Sequence, residues 1–403
     1  MERTTKHWPA NAPLPSRAPG NRAASRLVPL PFNEEILQET AESARKEIGG
    51  TVSLGFLFAT GDYYPHLPDL LEVIQVHGHI PCLVTCSGCG VIGTRRESEA
   101  LPAVSLLLLH LPHTTLRVVE LGPEPLPESP GDWYRRTGLP PHAVDFWIAL
   151  VNPYGFPVEP WLQSWSKAYP HTPTIGGLCA ARGDGDDEVF IAHNQNVLPQ
   201  GHALLVGFRN GVRLHTVVSQ GCRPIAEPCT ITRAYGNTIL TLGGRPAYAV
   251  LAEAFESLSP IDKIKAQGNL FVGLANNEYL EEFRQGDFLI RSILGADAVT
   301  GAVAVGGNPR VGQTLQWQLR DPLAARSDLA GQLHNVPRPL ASLVFSCAGR
   351  GTELYGTPGH DANAIANIVG PAASAGIFCH GEIGPAGNGT FVHGNTISVG
   401  FLV

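Results

Sequence analysis

Short apolar runs alternate along the chain with glycine- and proline-rich turns, and the length and spacing of each run decide what it forms. Phe32 to Ile48, FNEEILQETAESARKEI, has the periodicity of one amphipathic helix, with Asn33 as N-cap, acidic residues in the first turn and Gly49-Gly50 as the stop. A second helix is predicted over Arg245–Leu258, where Ala247, Val250, Leu251, Ala254, Phe255 and Leu258 recur at helical spacing and Pro246 stands near the first turn. Asp321–Leu329 also reads as helical. Most other apolar runs are of strand length.

One pattern of elements occurs three times. Strand Val52–Phe58 leads to a helix around Asp69–His77, strand Pro81–Thr85 and strand Val104–His110. Strand Phe146–Val151 leads to helix Val158–Ala168, a strand at Thr174-Ile175, and strands near Val189–Ala192 and Ala203–Phe208. Strand Ser342–Ser346 leads to a helix around Asp361–Val369, strand Gly376–Phe378 and a closing strand Thr396–Val403. The offsets from Leu57 to Val84, Ile148 to Ile175 and Phe345 to Phe378 are 27, 27 and 33 residues, a near constancy that points to a structural repeat. A helix between strands implies a parallel crossover, and a following hairpin makes the sheet mixed. The expected fold is therefore α/β in the mixed α+β sense: repeated βαββ units form mixed sheets covered by helices, in two intimately associated domains. Further strands are predicted at Leu214–Ser219, Asn237–Leu242, Leu270–Leu274, Phe288–Ile293, Ala302–Val305 and Thr314–Leu319. The expected division is a disordered Pro-rich arm plus a short helix over 1–48, then domains at 49–235 and 236–403, with the boundary in the turn-rich stretch 220–240.

Composition narrows the function classes. The chain has 403 residues, 43% of them hydrophobic and 16% charged, with 45 Gly and 34 Pro, which suits a turn-rich α/β protein better than a helical bundle. Its net charge is −7, and the body beyond the first 48 residues is more negative still, a sign that repels phosphate backbones and argues against nucleic acid as a partner. No apolar run approaches the ~18 residues of a membrane span. The amino terminus lacks the apolar core of a secretory signal, and six prolines by position 31 argue against an amphipathic transit peptide, so cytoplasm is the expected location. Eight irregularly spaced cysteines in a chain of this size are expected to be reduced thiols.

Several motifs carry less than their letters suggest. Cys82-Leu-Val-Thr-Cys86-Ser-Gly-Cys89 has the C-x3-C-x2-C spacing of radical iron–sulfur enzymes, but its first cysteine falls inside a strand, so buried or turn thiols are expected. Gly88-Cys-Gly90-Val-Ile-Gly93 is followed by a charged loop and a strand, where a phosphate-binding turn would open a helix. The run Asp184-Gly-Asp186-Asp187-Glu188 lacks the residue order of a calcium loop and reads as a solvated hairpin tip. His77 with His79, and His110 with His113, have no cysteine or acidic partner at ligand spacing, so no metal site and no cofactor are expected.

The richest chemistry lies in residues 341–393. The turns Cys347-Ala-Gly-Arg350-Gly351 and Cys379-His380-Gly-Glu382-Ile-Gly-Pro each follow an apolar run, and His393 lies just beyond. Gathered at one rim, a thiol, a guanidinium, a carboxylate and imidazoles could hold a polar ligand; alternatively Arg350 and Glu382 form one structural ion pair. Cys222-Arg223, at a strand end, sets a thiol beside a guanidinium that would lower its pKa on contact, with ordinary turn chemistry as the alternative. Arg291 and Arg320 are embedded among apolar residues, with Asp297, Asp321 and Glu382 as available partners.

At these same stretches the sequence resembles the FIST proteins, small-ligand-binding sensory proteins with an N-terminal and a C-terminal FIST domain. The resemblance is carried by CSGCGVIG from Cys86, Ile175-Gly-Gly, VSQGCRPIAEPCTITRAYGNTILTLGGRPA (218–247), DFLIRSILGAD (287–297), QWQLRD (316–321), FSCAGRG (345–351), and CHGEIGP with the His393-Gly pair; it spans about residues 50–403. It implies sensing in signal transduction, with amino acids or related metabolites as ligands and an unidentified downstream signalling protein as partner. An F-box, joined to such domains in some relatives, finds no matching apolar pattern before residue 50. The expected ligand-binding residues are Cys347, Arg350, Gly351, Cys379, Glu382, His393, Arg291, Cys222 and Arg223. Two other functions are open: an enzyme with Cys347 as nucleophile, His393 or His380 as base and Glu382 as orienter, or a scaffold that grips a protein.

Overall fold

The computed structural model describes residues 20–183, 188–277, 280, 282–283, 286–387 and 389–403. The Pro-rich stretch up to residue 19 and Asp184, Asp186 and Asp187 of the acidic run lie outside the described residues.

Three copies of one arrangement make up the main body. The first comprises β1 (Arg22–Val28), α1 (Glu34–Ile48), β2 (Leu54–Thr60), α2 (Leu67–Gly78), β3 (Leu83–Gly88), a hairpin of β4 (Gly90–Gly93) and β5 (Arg96–Ser98), and β6 (Val104–His110). The second repeats the order with β7 (Thr115–Leu121), α3 (Pro130–Thr137), β8 (Phe146–Val151), α4 (Val158–Ala168), β9 (Thr174–Leu178), the hairpin β10 (Ile191–His193) and β11 (Asn196–Leu198), and β12 (Ala203–Arg209). The third opens with β13 (Leu214–Gln220) and is interrupted by an insertion.

The insertion holds β14 (Cys222–Pro224), β15 (Cys229–Tyr235), β16 (Thr238–Leu242), β17 (Arg245–Pro246), α5 (Ala247–Glu256), α6 (Pro260–Lys265), β18 (Leu270–Ala275), β19 (Phe288–Asp297), β20 (Ala302–Val305) and β21 (Thr314–Arg320). Because β21 pairs with both β15 and β18, six of these strands close into a barrel around Ile231, Val272, Val303 and Trp317. The third copy then resumes with α7 (Pro322–Leu333), β22 (Ala341–Cys347), α8 (Thr352–Tyr355), α9 (His360–Ile368), β23 (Ala373–Cys379), the hairpin β24 (Glu382–Ala386) and β25 (Gly389–His393), and β26 (Thr396–Leu402).

Each copy holds one parallel pair, β2/β3, β8/β9 or β22/β23, flanked by an antiparallel return strand, β6, β12 or β26. The hairpins do not stay with their own sheets. β4 joins β23 of the third sheet, β10 joins β3 of the first, and β24 joins β9 of the second, so every sheet is completed by a neighbour in a closed cycle. The inner faces of all three meet in one core containing Phe58, Cys86, Ile148, Ile175, Phe345 and Ile377. The outer faces are covered by helices, as in the packing of Trp147 against Trp165 of α4. Strands buried on both faces read as continuous apolar runs, which is why period-two alternation is weak in them.

The mixed fold and the three units agree with the sequence expectation. In the parallel pairs Leu57 lies opposite Thr85, Ile148 opposite Ile175 and Phe345 opposite Ile377, so the spacings used to find the repeat mark paired strands to within one residue. α1 starts as expected, with the Asn33 side chain accepting from Ile36 N and Gly49 at φ 60 closing the helix. A correction falls on the arm read as disordered over 1–31: Arg22–Val28 is strand β1, paired along its whole length with β6. Its mixed Arg/Ala/Ser composition hides this, because β1 is an edge strand with only Ala24 fully buried. Position 235/236, expected as the domain boundary, falls in the turn joining paired strands β15 and β16.

Candidate functional site

Strands β22 and β23 run parallel and in register, with Cys347 opposite Cys379, so the turns that follow them are neighbours. The CAGRG turn needs its last glycine. Gly351 has φ 62, and a Cβ there would meet the Glu99 carboxylate at 2.5 Å. Glu99 holds the start of α8, accepting from Thr352 N and Thr352 Oγ1, each at 2.9 Å.

Arg350 points inward. It is 1% exposed, and its Nε and Nη2 donate to Asp361 Oδ2 and Oδ1 at 2.8 and 3.2 Å, with a further bond from Nη2 to Tyr355 Oη at 2.6 Å. Burial alone would depress the guanidinium pKa, but Asp361 raises it above its ordinary value; burial likewise opposes ionisation of Asp361, yet Arg350 holds that carboxyl well below the usual range. The structural ion pair anticipated between Arg350 and Glu382 is thus made with Asp361 of α9, a partner 11 residues away. Arg350 Nη1 remains buried without a hydrogen-bond partner. Next to this pair, Glu97 of β5 accepts from Ala362 N at 2.8 Å and leaves Oε2 buried without a partner; burial, reinforced by Asp361, pushes its pKa up to about 7.

Glu382 opens β24 and is fully buried. Its Oε2 accepts from Thr396 N at 3.2 Å, and the Cys379 thiol lies 3.6 Å from Oε1. Burial raises its pKa well above the carboxylate value against the opposing pull of the Thr396 N–H and Arg350. Burial and this neighbour push the Cys347 thiol up to about 12, and Cys379 is raised for the same reasons. His393 Nε2 donates to the Gly384 carbonyl at 3.1 Å, its Nδ1 is buried without a partner, and burial lowers its pKa to about 4. A nucleophilic cysteine needs a depressed pKa and a base in contact. Cys347 has a raised pKa, and His393 spends Nε2 on the Gly384 carbonyl while its Nδ1 has no hydrogen-bond partner, so this arrangement does not favour the cysteine-enzyme reading.

Arg291 behaves differently. It lies on β19 of the barrel with 14% of its side chain exposed, and its Nη2 stands 3.9 Å from Glu159 Oε1 of α4, beyond hydrogen-bond reach. Its Nη1 donates to the Ile290 carbonyl at 2.9 Å. Both charged groups border a cavity of about 640 Å³ between the barrel rim, α4 and β25, whose walls also present Gln163, Lys167, Asn276 and Phe391. Behind it, Glu382 is close enough to act on the charge of Arg291, and Arg291 is close enough to lower the pKa of His393.

The remaining candidates divide. Cys222 joins the buried group beside Cys347, Arg320 and Arg350, where burial pushes its thiol up to about 12. Strand alternation turns Arg223 away to Asp262 and Asp321, at 2.9 and 3.2 Å, so the expected thiol–guanidinium contact is not made. Arg320 pairs with Glu353 at 2.7 Å, not with the acids expected for it. Cys86 faces the core and Cys89 the surface, where its Sγ is 3.2 Å from His380 Nε2. Sequence reading missed Asp361, Glu97 and Glu159; Glu97 and Glu159 sit in elements distant in sequence from the glycine turns and are brought near by the fold, while Asp361, 11 residues from Arg350, lies in the first turn of α9.

Among the described residues no group of three or more His, Cys, Asp or Glu is placed to hold a metal ion, and no helix is long and apolar enough to cross a membrane. An uncharacterized protein of Mycobacterium tuberculosis is 36% identical over 376 residues, covering 91% of this chain and 95% of its own length. An uncharacterized protein of Mycobacterium bovis is 35% identical over 384 residues, covering 93% and 96%. Two cyanuric acid hydrolase structures, one from A. caulinodans, align over 94% and 95% of this chain and 99% and 100% of theirs, with TM-scores of 0.29 and 0.30 at 10% and 13% identity; likeness that slight carries nothing about chemistry. The FIST N domain matches residues 53–245 and the FIST C domain residues 247–385, so the two meet inside the barrel segment. FIST domains are associated with signal transduction and small-ligand sensing, and this chain belongs to the FIST family.

Proposed function

We propose that this chain is a sensory protein that binds an amino acid or similar polar metabolite in the cleft between the barrel and the three-unit body, and passes the bound state to a downstream signalling protein in the cytoplasm. The observation that carries the reading is the pair Arg291 and Glu159, an ion pair at 3.9 Å without a hydrogen bond at the edge of a 640 Å³ cavity. The Arg291 guanidinium is mostly desolvated, and its ion pair with Glu159 at 3.9 Å makes no hydrogen bond, so a ligand carboxylate would relieve the cost of its burial through a bidentate contact. Cavities at domain junctions with a few convergent polar groups are the usual seats of small ligands. In this reading Arg291 touches the ligand, while His393, Glu382, Cys379, Cys347, Cys222, Arg350 and Gly351 form the layer that supports it; Arg223 braces the barrel base.

The test is a thermal-shift and calorimetric screen of the twenty amino acids and common metabolites on wild type and Arg291→Ala. A ligand at a hundredfold its Kd should stabilise wild type by about 2.7 kcal/mol. The proposal falls if no compound raises the melting temperature of wild type more than that of Arg291→Ala.

A further inference from the structure

We infer that the ligand of this cleft is an acidic α-amino acid, that is, a zwitterionic head with a second carboxylate; this rests on the reading of the cleft as the ligand site. α4 presents Glu159, Gln163 and Lys167 to the cavity on one face at intervals of four residues. With a rise of 1.5 Å per residue, Lys167 lies about 12 Å along the helix from Glu159, two turns away.

At one end, Arg291 and Glu159 are side by side at 3.9 Å, an adjacent cation and anion that mirror the carboxylate and ammonium on one α-carbon. Arginine offers the planar fork suited to the α-carboxylate, and Glu159, with 44% of its side chain exposed, is free to accept from the ammonium. At the other end is exposed Lys167, whose flexible four-carbon stem can swing its charge toward the cavity centre. Two cations and one anion complement two carboxylates and one ammonium. Arg310 also lines the cavity but has a partner of its own and stands outside this count.

The alternatives leave charges unmatched. A neutral amino acid gives Lys167 nothing to bind, and a dicarboxylate without an amine sets a carboxylate against Glu159.

Isothermal titration calorimetry with L-glutamate, L-aspartate, L-glutamine, L-leucine and glutarate tests this on the full chain, comparing wild type with Lys167→Met. Lys167 is exposed, so its replacement does not threaten folding. Glutamate or aspartate should bind wild type at least tenfold more tightly than glutamine, leucine or glutarate. Lys167→Met should weaken that binding at least tenfold and leave glutamine affinity unchanged. If glutamine or leucine binds as tightly as both acids, or Lys167→Met leaves acid binding intact, the acidic-ligand inference is overturned while the cleft still binds small molecules. If none of the five binds and the wider screen is also blank, the sensory reading falls with it.

Discussion

Two charged regions lie back to back in this molecule, and they have opposite fates. Around Arg350 the charges are closed in: the guanidinium is clamped by Asp361 and Tyr355, burial raises the pKa of Glu382, and the Cys347 thiol beside it is pushed up to about 12. Around Arg291 the ion pair with Glu159 is long, at 3.9 Å, and borders open space. The residue types are nearly the same. What separates a structural centre from a receptive one is whether the chain's own counter-ion closes to hydrogen-bond distance.

The sharpest way to break this comparison is Arg350→Ala. It leaves the buried Asp361 carboxylate without its guanidinium, with the His360 imidazole beside it at 3.0 Å, and should cost about 3–5 kcal/mol in urea denaturation. A loss under ~1 kcal/mol would mean that the pair is not structural. Gly351→Ala comes next. A side chain at φ 62 that also strikes the Glu99 carboxylate should cost about 1–3 kcal/mol by the same measurement.

A third prediction concerns pH. The Glu97 pKa is raised to about 7, so the folded state holds this proton more tightly than the unfolded one, and the associated stability is present below the ordinary glutamate pKa and lost as pH climbs through about 7. Glu97→Gln should flatten the wild-type decline across that window; identical slopes would exclude Glu97 as its source. The smallest effect is kinetic. With its thiol pKa at about 12, Cys347 should react with iodoacetamide no faster than an ordinary free thiol at any pH below 7, and faster labelling would reopen the nucleophile reading.

The legible parts of the sequence were those set by local chemistry. Asn33 and Gly49-Gly50 bracket α1, Asp321 caps α7 by accepting from Leu323 N and Ala324 N, and α5 follows its apolar stripe. The repeat was visible as spacing, and the neighbouring CAGRG and HGEIGP turns followed from it. What stayed hidden depends on pairings far apart in the chain. The exchange of hairpins among sheets leaves no trace in periodicity, and neither does the closure of the barrel by β21 with β18 and β15. Arg350 could not be assigned to nearby Asp361 rather than Glu382, nor Arg291 to Glu159, because composition lists every acid as an equal candidate. Strand β1 was lost for a related reason: an edge strand has too few buried positions to stand out from a polar arm.

The way the barrel is attached gives a bound molecule mechanical leverage. Its chain enters and leaves through a narrow neck, where the Gly221 carbonyl accepts from Asp321 N at 3.0 Å and Cys222 pairs with Arg320. The three-unit body is tied together by strands lent around a ring, while the barrel is joined to it by that neck and by the packing of β19 against β25. A guest bridging Arg291 and α4 far from the pivot would pull the barrel toward the body, and that tilt is a displacement a second protein could read.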